Sequence, residues 1–315
     1  MTQDSVVDYS IIIPVYCNQG TLKNTYEKLS DEVVSRHTTK SYEIIFIDDG
    51  SYDSSFEELL EIRSLDPENV KLIKFTRNFG QVAAIMAGYN HARGKCIVNI
   101  SADLQDPPAL INQMLNHFFN EHKDIVVCYR ESRDEGFVRT MTSKIFYRIM
   151  KKLSFSNMPL GGFDFVLISS NVKDVILHSQ EANPFWQGQI LWSGYDIKFI
   201  PYKRLKREFG ESKWTFGKKL KYLIDGVMAY SYFPLRAMSV AGLVVSLLGF
   251  LYALIIFLAR IFGSVPIQGW APLMIIVLVL SGIQMLMLGV IGEYLWRTLD
   301  QVRKRQAYVI DKIIE

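Results

Sequence analysis

Two long stretches near the C-terminal end of the sequence contain no charged residue. They run from Ala237 to Leu258 and from Ala271 to Gly292. A helix needs about 20 consecutive apolar residues to cross the hydrocarbon core of a bilayer, so each stretch is long enough to do so. We therefore predict two transmembrane helices, over about 237–260 and 271–293, joined by a short connector. Two fully buried helices of a soluble protein are the alternative.

The positive charges around these stretches predict their orientation. The connector contains one cation, Arg260, whereas basic residues precede the first stretch and follow the second: Lys218, Lys219, Lys221, Arg297, Arg303, Lys304 and Arg305. Because basic flanks stay on the cytoplasmic side, we expect a multi-pass protein of the plasma (inner) membrane with its C-terminus in the cytoplasm. The N-terminal residues lack the pattern of a signal peptide. The three cysteines form no CxxC pair, which is typical of a reducing compartment.

A different pattern fills residues 10–130. Short β-branched runs such as YSIIIPVY, YEIIFID and KCIVNIS alternate with segments of helical periodicity. Apolar strands separated by helices form a mostly parallel sheet with helices on both faces, so we predict this α/β fold. Ligands of such sheets bind at the carboxyl ends of the strands. Acidic residues follow two of the predicted strands at that edge: Asp48, Asp49, Asp103 and Asp106.

The predicted elements divide the chain into four parts. A cytoplasmic catalytic domain covers 1–205 and includes a helix over about 137–153 that mixes Lys and Arg with aromatic residues, as helices in a membrane interface do. A juxtamembrane amphipathic segment covers 206–234, the two transmembrane helices lie within 235–296, and a cytoplasmic basic tail covers 297–315. Ordinary amphipathic helices packed on a core are the alternative for the two interfacial segments.

The string SADLQDPP combines oxygen ligands with a helix start. Asp103 and Gln105 offer carboxylate and amide oxygens, which hard divalent cations prefer. Asp106 stands before two prolines, a position typical of a helix N-cap, so we expect it to cap the next helix. Asp48 and Asp49 either accept hydrogen bonds from a nucleoside or belong to a turn before a capped helix.

Five motifs together indicate a family resemblance. IIIPVY, IDDGS, RNFGQ, ADLQDPP and REFGESKW occur in the order and spacing of the family 2 glycosyltransferases, which have the GT-A fold. More narrowly, the sequence resembles the polyprenyl-phosphate glycosyltransferases, namely dolichyl-phosphate mannose synthases, bactoprenol glucosyltransferases and undecaprenyl-phosphate aminoarabinose transferases. The resemblance covers essentially the whole chain, including the two apolar stretches.

The resemblance implies roles for individual residues. The nucleotide would contact Pro14, Val15, Tyr16, Asp48, Asp49, Asn78, Gly80, Gln81, Ala102 and Asp103. Asp103 and Gln105 would hold Mg²⁺ or Mn²⁺ against the diphosphate, so that Asp103 counts as catalytic. Asp164, in GGFDFVLIS, matches the acid that acts as a base or orients the acceptor; a turn residue is the alternative. The acceptor phosphate would contact Arg130, Arg139, Ser143, Arg207 and Lys213.

The sequence departs from the family pattern at two places. Ser101 occupies the position of a second metal-binding Asp, two residues before Asp103. An uncharged hydroxyl group is a weaker ligand, so we expect lower metal affinity or altered geometry. The string VYCNQG replaces the usual VYNEE, with Cys17 and Asn18 in place of an amide and an acid. This change concerns the contacts to the base and ribose more than the chemistry.

The resemblance implies a metal-dependent, inverting transfer of a sugar from a nucleotide sugar, with UDP as the first candidate, to polyprenyl phosphate at the cytoplasmic membrane face. The acceptor would be undecaprenyl phosphate in a bacterium, and the product would donate sugar to cell-envelope glycans such as lipopolysaccharide. The second pKa of a phosphate monoester is about 6, so we expect Asp164 to position the acceptor rather than deprotonate it. A homo-oligomer, by resemblance a tetramer, is expected, and nucleic acid is not an expected partner. A processive polysaccharide synthase and an inactive membrane scaffold are the alternatives.

Overall fold

The computed structural model of the chain describes residues 6–130, 148, 151, 155, 157–159, 162–179, 181, 184–205, 225–262 and 269–315. Within these residues, eight strands form a single sheet. They are β1 (Val7–Val15), β2 (Tyr42–Asp48), β3 (Val70–Phe75), β4 (Gly94–Asn99), β5 (Ile125–Arg130), β6 (Phe165–Ser169), β7 (Ile197–Tyr202) and β8 (Ile310–Ile314). Their order across the sheet is β7-β5-β6-β4-β1-β2-β3-β8.

The described α-helices alternate with the strands and then form the C-terminal pair. They are α1 (Leu22–Glu32), α2 (Ser55–Leu65), α3 (Gln81–His91), α4 (Leu110–Phe119), α5 (Ser170–Ser179), α6 (Trp186–Trp192), α7 (Phe233–Phe262) and α8 (Trp270–Arg303). A short 3-10 turn at Val34–Arg36 follows α1.

Helices cover both faces of the sheet, which explains why its strands are almost continuously apolar. Ile11 and Ile13 of β1 pack with α1, α2 and α4 on one face, whereas Ile12 packs with α3, α5 and α6 on the other. All three side chains are fully buried. The β1–β2, β1–β4, β2–β3 and β5–β7 pairs are parallel, and the other three pairs are antiparallel. The predicted mostly parallel α/β sheet is confirmed.

Strand β6 enters the sheet in the opposite direction, between β4 and β5. Because it is antiparallel to both neighbours, its first residues lie at the edge where β4 and β5 end. Phe165 is paired with Cys128 of β5, and Val166 is paired with Asn99 of β4. Asp164, one residue before β6, is therefore brought to the carboxyl edge of the sheet.

The C-terminal tail adds a strand that the sequence patterns did not predict. Residues 310–314, within the predicted basic tail, form β8 and pair antiparallel with β3 at the edge of the sheet. Tyr308 stacks on Phe75 with ring centroids 5.1 Å apart, and the Thr76 N–H donates to the carbonyl oxygen of Val309 at 3.1 Å. The charges of Arg303, Lys304 and Arg305 obscured this apolar strand in the sequence. The end of the chain is part of the catalytic-domain sheet.

Helices α7 and α8 are both long and apolar enough to cross a membrane, as predicted. Their large apolar side chains are exposed along most of their length, and the two helices approach each other at Gly242, where an added Cβ would lie 3.4 Å from Met287 Cε. Helix α8 has 34 residues and, at about 1.5 Å per residue, is longer than the roughly 30 Å thickness of a bilayer core. It continues ten residues past its predicted end at 293, to Arg303.

Several predictions fall on residues that the structure does not describe. Of the interfacial helix predicted over about 137–153, only residues 148 and 151 are described, and both are helical. Most of the juxtamembrane segment, 206–224, lies outside the described residues. Four predicted acceptor-phosphate contacts lie outside them as well: Arg139, Ser143, Arg207 and Lys213.

Candidate active site

Loops at the carboxyl ends of β1, β2, β3 and β4 meet at one edge of the sheet. The strand order reverses next to β1, which lies between β2 and β4. Such a reversal opens a crevice in which ligands of α/β sheets bind. The predicted nucleotide contacts belong to these strand ends and their loops, from Pro14 in β1 to Asp103 after β4, except for Gln81, which begins α3.

Asp49 joins the loop after β2 to the loop after β3. Its Oδ1 accepts a hydrogen bond from the Phe79 N–H at 2.6 Å, and its Oδ2 accepts one from the Gly80 N–H at 2.9 Å. Burial raises the pKa of Asp49 to about 6, although these two N–H groups act in the opposite direction. Both carboxylate oxygens thus hold the segment that carries the predicted contacts Asn78, Gly80 and Gln81.

Gly50 allows these two loops to approach closely. Its φ of +68° is in the left-handed region, and a Cβ at this position would lie 2.4 Å from the backbone carbonyl carbon of Arg77. No side chain fits at that distance, so the Asp-Gly sequence at the end of β2 is needed for packing as well as for the turn.

Asp48 has a different environment from Asp49. Its side chain is fully buried, and its Oδ1 accepts a hydrogen bond from the Ser51 N–H at 3.1 Å. Its Oδ2 is buried without a hydrogen-bond partner among the residues that the structure describes. Burial raises the pKa of this carboxyl group. Asp48 therefore differs from Asp49 in keeping one buried oxygen without a hydrogen-bond partner among the described residues.

The unusual VYCNQG string forms a compact loop. Cys17 has a left-handed φ of +52°, and its N–H donates to Ser51 Oγ at 2.9 Å. Asn18 turns its side chain back, so that its Oδ1 accepts a hydrogen bond from the Tyr16 N–H at 3.0 Å. Tyr16 in turn meets the exposed Tyr52 edge to face, with ring centroids 6.3 Å apart. The two replaced residues thus build the loop that presents the aromatic ring of Tyr16.

The loop after β4 brings two carboxylates to one hydroxyl group. Ser101 Oγ lies 2.8 Å from Asp103 Oδ1 and 2.8 Å from Asp106 Oδ2. The Gln105 N–H donates to Asp103 Oδ1 at 3.2 Å, while Gln105 Nε2 donates to the carbonyl oxygen of Leu205 at 3.3 Å. The structure therefore places both predicted metal ligands in one loop, with Ser101 in contact with Asp103 and Asp106 behind Ser101.

The prediction that Asp106 caps a helix is wrong. Helix α4 begins at Leu110 with Ala109 at the N-cap, and the prolines form a turn before it. Asp106 is instead turned inward and only 1% exposed. Its Oδ1 accepts a hydrogen bond from the Tyr202 hydroxyl group and lies 3.6 Å from Arg204 Nε. Side chains at and after the end of β7 thus outcompete the helix for this carboxylate.

Asp164 forms an ion pair with Arg130 at the same edge of the sheet. Its Oδ2 lies 2.7 Å from an Arg130 terminal nitrogen, and its Oδ1 accepts a hydrogen bond from Gln187 Nε2 at 3.2 Å. Burial lowers the pKa of Arg130, but the charges of Asp164 and Asp106 outweigh it and raise that pKa above its ordinary value. Arg130, predicted to grip the acceptor phosphate, is therefore held by the predicted catalytic acid.

The two halves of the site are connected through Tyr202. This residue is paired with Arg130 across β5 and β7, and its hydroxyl group donates to Asp106. A continuous series of contacts thus runs from Asp164 through Arg130 and Tyr202 to Asp106, and from there through Ser101 to Asp103. These contacts join a candidate metal-binding carboxylate to a candidate acceptor-binding ion pair.

Comparison with known families agrees with this geometry. The sequence profile of glycosyl transferase family 2 matches residues 10–175, which include most of β1 and all of β2 to β6. This chain belongs to glycosyl transferase family 2. The family 2 assignment drawn from the five motifs is confirmed.

This family 2 glycosyltransferase is similar to bacterial proteins over nearly its full length. The uncharacterized glycosyltransferase YkcC of Bacillus subtilis (strain 168) is 38% identical over 97% of this chain and 94% of its own. The prophage bactoprenol glucosyl transferase homolog of Escherichia coli (strain K12) is 32% identical, over 96% and 98% of the two chains. The undecaprenyl-phosphate 4-deoxy-4-formamido-L-arabinose transferase of Edwardsiella ictaluri (strain 93-146) is also 32% identical, over 97% and 94%. The narrower resemblance to polyprenyl-phosphate transferases is thereby confirmed.

The loop after β4 of this family 2 glycosyltransferase suits a divalent cation held largely by its substrate. In the described part of the chain, no group of three or more His, Cys, Asp or Glu side chains is placed to hold a metal ion. The loop offers one carboxylate at Asp103, the hydroxyl oxygen of Ser101 and the amide oxygen of Gln105. Mg²⁺ often binds through one or two carboxylates together with substrate phosphates, so these oxygen donors fit Mg²⁺ or Mn²⁺.

The sequence analysis missed three residues of this family 2 site: Tyr202, Arg204 and Gln187. Tyr202 ends an alternating apolar strand, and Arg204 follows it within a run of basic residues. The only signal was the position of that strand's end, because the end of a strand parallel to β5 falls at the ligand-binding edge. Gln187 gave no local signal, since its contact with Asp164 depends on the placement of α6.

Proposed function

We propose that this glycosyltransferase transfers a sugar, with inversion, from a nucleotide-diphosphate sugar to polyprenyl phosphate at the cytoplasmic face of the plasma membrane. UDP is the first nucleotide to test, and undecaprenyl phosphate the first acceptor. One observation carries the proposal: a continuous series of contacts connects the Asp103 loop to the Asp164–Arg130 pair, in a chain that also has two membrane-length helices. The names of two relatives, which include bactoprenol and undecaprenyl phosphate, support the same acceptor.

The nucleotide side of the cleft is organised before any ligand enters. Asp49 fixes the loop that contains Asn78 to Gln81, and Asp48 offers a buried acceptor oxygen. A divalent cation bound at Asp103, with Gln105 and Ser101 beside it, would offset the negative charge that develops on the leaving diphosphate. Fixed groups of this kind favour the transition state because they need little reorganisation when charge develops.

The acceptor side needs orientation more than proton removal. A phosphate monoester is largely a dianion at neutral pH, so its oxygen can attack without a strong base. Arg130 carries five N–H donors and can hold Asp164 and a phosphate oxygen at the same time. Asp164 thereby positions Arg130 and faces the reacting sugar. Direct displacement of the nucleotide by the phosphate oxygen inverts the anomeric carbon.

Two contacts support the proposed orientation in the membrane. Arg297, near the end of α8, lies 2.6 Å from Asp225, which precedes α7. The N-terminal end of α7 and the C-terminal end of α8 are therefore on the same side of any bilayer that the two helices cross. Because β8 pairs with β3, that side is also the side of the catalytic domain. The proposed homo-oligomer, a tetramer by family resemblance, remains a prediction.

Radiolabelled sugar transfer tests the proposal. The purified full-length chain, reconstituted in lipid nanodiscs with undecaprenyl phosphate, is incubated with a panel of UDP-sugars and GDP-sugars, with and without EDTA. We expect label in an organic-extractable lipid with at least one donor, and loss of that label with EDTA or with Asp103→Ala. Nucleotide binding without transfer from any donor would instead indicate a scaffold, and a growing polymer would indicate a processive synthase.

A further inference from the structure

We propose that Asp106 is a positioning residue of the metal centre, which acts through the hydroxyl group of Ser101. In this interpretation, the negative charge of Asp106 acts on the cation through the hydrogen bond from Ser101, whereas a carboxylate at position 101 would contact the cation directly. The inference rests on the proposed function, because it assumes that a divalent cation binds beside Asp103. It concerns how this particular chain binds the cation when the usual acid at position 101 is a serine.

The contacts of Ser101 are the first argument. Its Oγ lies 2.8 Å from one oxygen of Asp103 and 2.8 Å from one oxygen of Asp106. A hydroxyl group has one proton, and an ionised carboxylate can only accept a hydrogen bond. The single proton can therefore fully satisfy only one of the two contacts. A cation beside Asp103 resolves this conflict, because Ser101 can then donate to Asp106 while its lone pairs face the cation.

The fixed orientation of Asp106 is the second argument. Leu104 has a left-handed φ of +55° and a buried side chain, and this turn brings Asp106 back towards Ser101. Tyr202 and Arg204 hold Oδ1 of Asp106, so that Oδ2 is the atom that contacts Ser101. The side chain is only 1% exposed. A carboxylate with both oxygens assigned and no access to water is suited to orient a hydroxyl group.

Charge is the third argument. A hydrogen bond from Ser101 to a carboxylate increases the electron density on the serine oxygen, which makes that oxygen a better ligand. Outer groups that orient metal ligands in this way typically contribute about 10- to 100-fold in metal affinity. Arg204 Nε lies 3.6 Å from Oδ1 of Asp106, on the side of the carboxylate away from Ser101.

Direct measurement of Mn²⁺ binding tests the proposal. The full-length chain in detergent is titrated with Mn²⁺ in the presence of UDP, and separately of GDP, while the electron paramagnetic resonance signal of free Mn²⁺ is recorded. We expect Asp106→Asn and Ser101→Ala each to weaken Mn²⁺ binding about 10-fold or more. We expect the double variant to be no weaker than Ser101→Ala, because the two residues act in series.

Asp196→Asn is the matched control. Its carboxylate is exposed, pairs with Lys123 and precedes β7, at the opposite end of that strand from Tyr202, and we expect a change in Mn²⁺ affinity of less than about 3-fold, well below the effect of a lost orienting group. Thermal unfolding establishes that each variant is folded. If Asp106→Asn does not fold, Ser101→Ala and Ser101→Asp remain informative, with weaker and tighter Mn²⁺ binding expected respectively.

The possible failures are distinguishable. Mn²⁺ binding that is unchanged in Asp106→Asn, or effects of the two single variants that add fully in the double variant, would overturn the role of Asp106 alone. Unchanged binding in Ser101→Ala would do the same. If the unaltered chain binds no Mn²⁺ with either nucleotide, the metal dependence in the proposed function is itself wrong, and this inference is overturned with it.

Discussion

Among single residues, Asp48 and Asp49 illustrate how two adjacent acids acquire different tasks. Both are buried at the end of the same strand, but Asp49 uses both oxygens on backbone N–H groups of the neighbouring loop. Asp48 keeps one oxygen without a hydrogen-bond partner among the described residues. Because an Asp49 that gains a proton has one acceptor oxygen fewer, the loop that it holds should respond to pH.

The pH dependence of nucleotide binding tests this role of Asp49. Its pKa is raised to about 6 by burial, so the carboxylate is ionised and holds both N–H groups above pH 7, and gains a proton as the pH falls through 6. We expect the KM for the nucleotide sugar to rise as the pH is lowered through this value. In Asp49→Asn, the KM should be high already at neutral pH and nearly constant below it. Parallel pH profiles of the two proteins would contradict this prediction.

A second prediction at this scale concerns Asp164. Because Asp164 holds Arg130 at 2.7 Å, Asp164→Asn should lower kcat by about 100-fold or more. Raising the pH from about 7 to 9 should not restore the activity, since the acceptor phosphate is already a dianion there. The matched control is Asp174→Asn, an exposed acid on α5. Recovery of the Asp164→Asn variant at high pH would show that Asp164 acts as a base.

Local strings were enough to place Asp103 and Gln105 in the loop after β4 and Asp164 directly before β6. The roles of Asp103, Gln105 and Asp164 remain predictions. Asp106 was misassigned because its partner Tyr202 is 96 positions away along the chain. Local pattern favours the helix cap, but a tertiary contact decides. The same reason explains why Gln187 was not found.

Among the secondary-structure elements, strand ends account for most of the site. The apolar runs of β1 to β5 predicted a parallel sheet and the edge where ligands bind. The position of β6 could not be predicted, because an antiparallel strand inserts between β4 and β5 through pairing rather than through any pattern of its own. Its direction matters for the chemistry, since it brings Asp164 to the edge where β4 ends.

Strand β8 should support the loop after β3, which contains Phe79 and the predicted nucleotide contacts Asn78 and Gly80, through two aromatic contacts. Tyr308 stacks on Phe75, and Phe75 contacts Phe79 edge to face at 5.8 Å between centroids. Tyr308→Ala should therefore lower stability by about 1–3 kcal/mol, measured as a lower midpoint of thermal unfolding, and raise the KM for the nucleotide sugar. The exposed Lys312 of the same strand provides the control Lys312→Ala. A destabilised Tyr308→Ala variant with an unchanged KM would show that β8 does not support the loop after β3.

For the whole molecule, the decisive property is the side of the membrane on which each part lies. The Arg297–Asp225 contact joins the segment before α7 to the C-terminal part of α8, and the β3–β8 pairing joins the segment after α8 to the catalytic-domain sheet. This arrangement agrees with the orientation expected from the basic flanks. The cytoplasmic side itself is predicted from the basic flanks alone and remains a prediction.

Cysteine labelling in intact cells tests this arrangement. In a Cys17→Ser background, where Cys96 and Cys128 are buried, a cysteine is introduced either at Gln268 in the connector or at Lys312 in β8. A membrane-impermeant maleimide should label Gln268→Cys in spheroplasts, and should label Lys312→Cys only after the membrane is permeabilised. Labelling of Lys312→Cys in unbroken spheroplasts would contradict the predicted orientation.

The pairing of β8 with β3 also sets the order in which the protein can be completed during its synthesis. Phe75 ends β3 and Ile310 begins β8, so the 234 residues from 76 to 309, including both apolar helices, are translated between the two partners. At roughly 5–20 residues per second, the edge of β3 that pairs with β8 stays unpaired for about 10–50 s during synthesis. The catalytic sheet is therefore finished last, after the membrane helices have left the ribosome.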